Sequence, residues 1–200
     1  MVAAMRPDLA ALVGARICHD LISPIGAISN GVELLSLTDG NTDAEMDLIK
    51  QSVENASARI RYFRIAYGGY SDDHLISRDE ILSILSAYAR DGRVSYIWQI
   101  DGDQRRSDVR AAFVMLQAVV TTMPLGGDIR IFANEDSWVI QGHAKRITVD
   151  DGLWQTVLRP DPLHNHAAAQ VQFALLPGIL VAAGRQMRIS HDDRMIEIRF

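Results

Sequence analysis

Residues 15–28 read Ala15-Arg16-Ile17-Cys18-His19-Asp20-Leu21-Ile22-Ser23-Pro24-Ile25-Gly26-Ala27-Ile28, and this stretch decides how the first third of the chain folds. Ile17, Leu21, Ile25, Ile28, Val32 and Leu35 step by three and four, which is one apolar stripe on a helix. The spacing predicts a helix from Pro7 to Leu37. Thr38-Asp39-Gly40-Asn41-Thr42-Asp43 is a turn cluster. A second helix follows from Ala44 to Tyr67, with Thr42 or Asp43 as its cap and Glu45 and Asp47 in its first turn. Its Ile49, Val53, Ala56, Ile60, Phe63 and Tyr67 form a heptad seam, and Gly68-Gly69 ends it. A helical hairpin cannot bury two such stripes against itself alone. Either a second copy completes a four-helix bundle, making a homodimer, or the second half of the same chain covers the seam.

The remainder changes character. Arg78 to Arg90 reads as an amphipathic helix, and Val94 to Ile100 as a strand. Ser107 to Met123 reads as an apolar helix with Ser107 as cap. Ile129–Ala133 and Trp138–Gly142 read as a hairpin across Asn134-Glu135-Asp136-Ser137. Asp150–Leu158 and Ala167–Ala183 look helical, separated at Pro160 and Pro162. Gln186–Ser190 and Met195–Phe200 close the chain as strands. The expected class is α+β: a helical hairpin over residues 1–70, then an α/β sandwich over 75–200 with helices on one face of a mainly antiparallel sheet. The boundary falls between Gly68 and His74.

Composition narrows the function. The chain has 200 residues, 48% hydrophobic and 22% charged, as an ordinary globular protein has. A formal net charge of −5 offers no basic field for nucleic acid or an anionic membrane. The amino terminus lacks a signal-peptide pattern, and no apolar run approaches the roughly 20 residues that span a bilayer. A single cysteine, Cys18, suits a reducing cytoplasm and reads as a small buried filler.

With His19 as the zero angle at about 100° per residue, Ser23, Gly26, Asn30 and Glu33 lie within about 40° of it, opposite the apolar stripe. His19 therefore faces outward, in a strip of small and polar side chains that another protein can approach closely. Pro24 lacks an N–H, clashes with the Asp20 carbonyl, and is expected to bend this turn. Neutral imidazole is a nitrogen nucleophile near physiological pH, and a nearby acid such as Asp20 steadies its tautomer and developing charge. The plain alternative is that His19 is one surface histidine among six.

His19-Asp20-Leu21-x-x-Pro24-Ile25 resembles the phosphoacceptor motif of histidine-kinase dimerisation domains. The longer run from Arg16 to Leu35, including Asn30-Gly31-Val32-Glu33-Leu34-Leu35, is similar to the ChpT-type histidine phosphotransferases of alphaproteobacteria. The resemblance implies a homodimer and a second domain shaped like the Bergerat-type ATP-binding domain of histidine kinases. It implies that His19 takes a phosphoryl group from the receiver domain of a hybrid histidine kinase and passes it to response regulators of the CtrA and CpdR kind, in cell-cycle signalling. Asp20 would tune His19, while Arg16, Ser23, Gly26 and Asn30 would meet the partner. Magnesium would come with the receiver, since few cations stand near His19 apart from Arg16.

Kinases of this type hold Mg-ATP with a helix Asn, an Asp-x-Gly-x-Gly loop and a second glycine-rich loop. Met123-Pro124-Leu125-Gly126-Gly127 resembles the end of the Asn-bearing segment, which puts the Asn near Ala118. Gln117-Ala118-Val119-Val120-Thr121-Thr122 holds neither Asn nor acid. Ile140-Gln141-Gly142-His143-Ala144 has one glycine and no acid, and between Thr148 and His166 the only glycine is Gly152. A degenerate site is expected: no bound ATP, and relay without kinase activity. The rivals are an ATP-dependent sensor kinase and a pseudo-kinase scaffold that is never phosphorylated. His164-x-His166 lacks a well-spaced third metal ligand and reads as a polar loop. Asp72-Asp73-His74 reads as linker. Arg59, Arg61 and Arg64 read as a solvated face, and Ala111–Val120 as core.

Overall fold

A computed structural model describes residues 8–37, 42–68, 74–89, 92–134, 137–161 and 164–200. Helix α1 spans Leu9–Leu37 and α2 spans Asp43–Ala66. Gly31 near the end of α1 lies against Ile49 and Glu45 near the start of α2, so the helices run antiparallel. A Cβ at Gly31 would sit 2.6 Å from Ile49 Cγ1, which is why the smallest residue stands at this crossing. Asp43 and Glu45 occupy the first turn of α2, facing its positive end, but Thr42 at the cap position makes no side-chain cap bond. Helix α1 runs unbroken through Pro24, which is buried.

The second unit begins with a two-residue strand, β1 (Leu75–Ile76), paired antiparallel with β3 (Gln104–Arg105); the sequence pattern misses both. Helix α3 (Arg78–Ala89), strand β2 (Val94–Trp98) and helix α4 (Arg106–Thr121) follow. Helix α4 begins after Arg105 without a side-chain cap, so Ser107 lies inside the helix and is not its cap. Strands β4 (Gly127–Ala133) and β5 (Trp138–His143) form the expected hairpin. Helix α5 (Asp151–Leu158) is capped by Asp150, whose carboxylate accepts from the Leu153 N–H. A 3₁₀ turn (Ala168–Gln170) leads into α6 (Val171–Ala182), and β6 (Arg188–His191) and β7 (Met195–Arg199) end the chain. The five-stranded sheet runs β2-β4-β5-β7-β6, parallel only at β2–β4. Strand alternation sends Ile129, Ile131, Ile140, Ile196 and Ile198 to one face, where α4 packs, and leaves Asp128, Arg130, Gln141 and Glu197 on the other.

The two units share one core. The Tyr62 hydroxyl of α2 donates to the Phe113 carbonyl of α4 at 2.6 Å, and its ring stacks between Phe113 and Tyr88. Burial pushes this phenol well above its ordinary range. The free carbonyls of the last turn of α2 are satisfied from α4: Arg106 donates to Arg64 O and Arg110 to Ala66 O. Most of the expected boundary segment, residues 69–73 with Asp72 and Asp73, lies outside the described residues. In packing terms the end of α2 already belongs to the second unit.

The heptad seam divides. Ala56 and Phe63 are buried, but Val53 and Ile60 are exposed, as are Ile22, Ile25 and Val32 on α1. The second half covers the Tyr62, Ile65 and Ala66 side of α2 and leaves this other face open. Cys18 is exposed, not a buried filler, because it lies toward that uncovered side of α1. By length and composition α1 is also long and apolar enough to cross a membrane, contrary to the expectation that no segment is. The reading from runs of apolar residues stopped at each charge, whereas the charges along α1 are few and widely spaced.

Gly26, with nothing within 4 Å of an added Cβ, and Gly31, at the helix crossing, are expected to respond oppositely. Gly26→Ala should raise stability by up to about 1 kcal/mol through helix propensity. Gly31→Val should lower it by about 1–3 kcal/mol through overpacking, both read by chemical denaturation.

Candidate functional site

His19 sits in the second turn before Pro24, on the side of α1 turned away from α2. Its side chain is 85% exposed. Its Nδ1 lies 3.1 Å from Asp20 Oδ1. A carboxylate only accepts, so Nδ1 bears the hydrogen and donates it, leaving the lone pair on Nε2. The direct bond between these sequence neighbours, which helix geometry alone left open, is made because Asp20 turns inward. Its side chain is 9% exposed, and Arg16 Nε donates to its Oδ2 at 2.8 Å. Burial opposes the Arg16 charge, but the Asp20 carboxylate more than offsets that, and the guanidinium is held above its ordinary value.

Ser23, Gly26 and Asn30 are exposed along the same face as His19. Arg16 is not on that strip. Its Nη1 donates to the Ala169 carbonyl at 3.1 Å, so it points across to the second unit. Beneath lies a polar layer that sequence reasoning missed: the Tyr67 hydroxyl donates to Gln117 Oε1 at 2.6 Å. Burial raises the Tyr67 phenol to about 12. Tyr67 looked like one more seam residue, and no local pattern in the sequence marks a partner 50 residues away.

The segments set against the kinase nucleotide motifs lie partly in the core. Ala118 is fully buried, and Gln117 is nearly so. Residues 140–143 are strand β5 rather than a loop, and a Cβ on Gly142 would touch Val119, Met123 and Ile196 at 3.0 Å. Among the described residues no cluster of three His, Cys, Asp or Glu could hold a metal ion. The His164 and His166 rings pack against each other, and His166 Nε2 lies 3.2 Å from Thr156 Oγ1. Of the three arginines expected on a solvated face, Arg61 and Arg64 are exposed, Arg64 within reach of Glu80. Arg59 instead bonds Asn55 and lies over the Tyr88 ring.

The family pattern described as "Histidine phosphotransferase C-terminal domain" matches residues 78–195. The chain belongs to the histidine phosphotransferase family. It is similar to the protein phosphotransferase ChpT of Brucella abortus (strain 2308), 43% identical over 93 residues, which are 46% of this chain and 44% of that protein. The match thus spans less than half of the Brucella protein's length. A solved structure described as "a Bacterial Phosphotransferase" superposes with a TM-score of 0.79 at 29% identity, covering 96% of this chain and 95% of that one. The family and this likeness agree with the α+β reading of a helical hairpin followed by a sandwich.

Burial, with His164 adding to it, holds the His166 imidazole below its ordinary value. The unfolded chain then binds more protons than the folded one, so this group's contribution is full above the unfolded imidazole pKa and is lost as pH falls below it. Stability measured by denaturation is expected to fall from pH 7 to pH 5, and His166→Gln should flatten that fall.

Proposed function

We propose that this protein is a cytoplasmic phosphorelay carrier: His19 accepts a phosphoryl group from the receiver domain of a hybrid histidine kinase and passes it to the aspartate of a response regulator of the CtrA or CpdR kind. The observation that carries this reading is the His19–Asp20 pair, a ring held outward with one nitrogen tied and the other presented to solvent. In the forward step the Nε2 lone pair attacks the phosphorus of the aspartyl phosphate. The bond from phosphorus to the aspartate oxygen breaks, and the carboxylate leaves with its electron pair. The Nδ1 proton stays on the ring, and Asp20 faces the positive charge that the phosphorylated imidazole acquires. Magnesium carried on the receiver supplies charge neutralisation for the transferring group. The reverse of the same step delivers the group to the next aspartate.

The strip of Ser23, Gly26 and Asn30 suits close approach of a receiver, because nothing stands within 4 Å of Gly26 where a side chain would project. A second copy of the chain is the natural cover for Ile22, Ile25 and Val32 of α1 and Val53 and Ile60 of α2, completing a four-helix bundle. Relay without ATP is supported by what stands at the kinase positions: Ala118 in the core, and Gly142 where a Cβ would meet Val119, Met123 and Ile196.

Incubation of the purified protein with a phosphorylated receiver should place label on His19, while ATP alone should place none. His19→Gln should abolish acceptance with circular dichroism unchanged. Label appearing from ATP alone would make this a kinase, and no label from any receiver would make it a scaffold. Asp20→Asn should cut the transfer rate by about 10²–10⁴, because an amide N–H turned toward Nδ1 stabilises the wrong tautomer. Single-turnover kinetics read that loss.

A further inference from the structure

Arg16 joins the two units beside His19. Its guanidinium is one-fifth exposed and uses two of its edges: Nε to Asp20 Oδ2 at 2.8 Å, and Nη1 to the Ala169 carbonyl at 3.1 Å. Ala169 lies in the 3₁₀ turn that precedes α6, 153 residues further along the chain. The other Asp20 oxygen meets His19 Nδ1. The arginine bond at one oxygen restrains rotation of the Asp20 carboxylate. Its second oxygen is therefore presented to the imidazole in one direction.

We propose that Arg16 is a positioning residue for His19. The Ala169 carbonyl of the second unit holds the Arg16 guanidinium, the guanidinium holds the Asp20 carboxylate, and the carboxylate keeps the proton on Nδ1 so that Nε2 is the reactive nitrogen. This rests on the reading of His19 as the phosphoacceptor. It gives the second unit a task that needs no nucleotide: its 3₁₀ turn sets the orientation of a ring on the helical hairpin. Lysine does not substitute for arginine here. A single ammonium neutralises Asp20 but lacks the planar fork that spans the carboxylate and the backbone oxygen at once.

The test uses the full chain carrying Arg16→Lys, with Arg16→Gln as a second variant should the first be poorly folded by circular dichroism. Three readouts are compared with the unsubstituted protein. The first is the ¹⁵N shift pattern of the His19 ring before any phosphorylation. The second is the rate of phosphorylation by phosphoramidate, a small donor that needs no docking surface. The third is the KM and kcat for a receiver domain charged with acetyl phosphate. The expected ring is Nδ1–H in the unsubstituted protein and a mixture of tautomers in the variants. Both rates should drop roughly tenfold, the scale of one charge-assisted hydrogen bond, with KM for the receiver unchanged. An unchanged ring spectrum overturns the proposal. So does a raised KM with the phosphoramidate rate intact, which assigns Arg16 to the docking surface instead. If neither donor phosphorylates the unsubstituted protein, the phosphoacceptor reading fails by itself, and the ring spectrum still decides whether Arg16 sets the tautomer.

Discussion

The Tyr62 hydroxyl reaches the Phe113 carbonyl at 2.6 Å inside the core, and this bond fixes α2 against α4. Both partners are fully buried, so neither polar atom has water as an alternative. Stacking on Phe113 and Tyr88 adds a preferred ring geometry to the same contact. Once α2 is seated this way, its other sides are assigned. One side receives α1 at Gly31, and a third side, with Val53 and Ile60, is left open. His19 lies on the side of α1 away from these contacts.

The site works by subtraction of freedom. His19 is mostly in solvent, where an unsupported imidazole would sample both tautomers and several rotamers. The carboxylate next to it is withdrawn from solvent and gripped by arginine, so the exposed ring inherits order from a sheltered neighbour. The same arginine ties α1 to the 3₁₀ turn of the second unit. Reactivity at an exposed atom is thereby coupled to packing on the far side of the helix. The sandwich thus has a structural part to play beside the helix that carries His19.

Much of this was legible residue by residue. The three-and-four spacing located α1 and α2, because an amphipathic stripe is a local property of the chain. The strand pairs β4–β5 and β6–β7 were visible from alternation between turn residues. The strip of His19, Ser23, Gly26 and Asn30 followed from helix geometry alone. Cys18 and Ser107 were misjudged, each for its own reason. Periodicity reports that a face is apolar but not which neighbour covers it, and a cap depends on where the chain enters the helix. Strands β1 and β3, two residues each, carry no periodic signal at all.

What the sequence determined by itself was the helical hairpin, the α+β class and the outward histidine with its acid, since each depends on neighbours within a turn or two of helix or strand. Only the tertiary structure decided that Arg16 turns inward to Asp20 and Ala169, that Tyr67 meets Gln117, and which half of the α2 seam is buried. Ala169 and Gln117 lie 153 and 50 positions from their partners, and such pairings are set by how whole elements pack rather than by any local pattern.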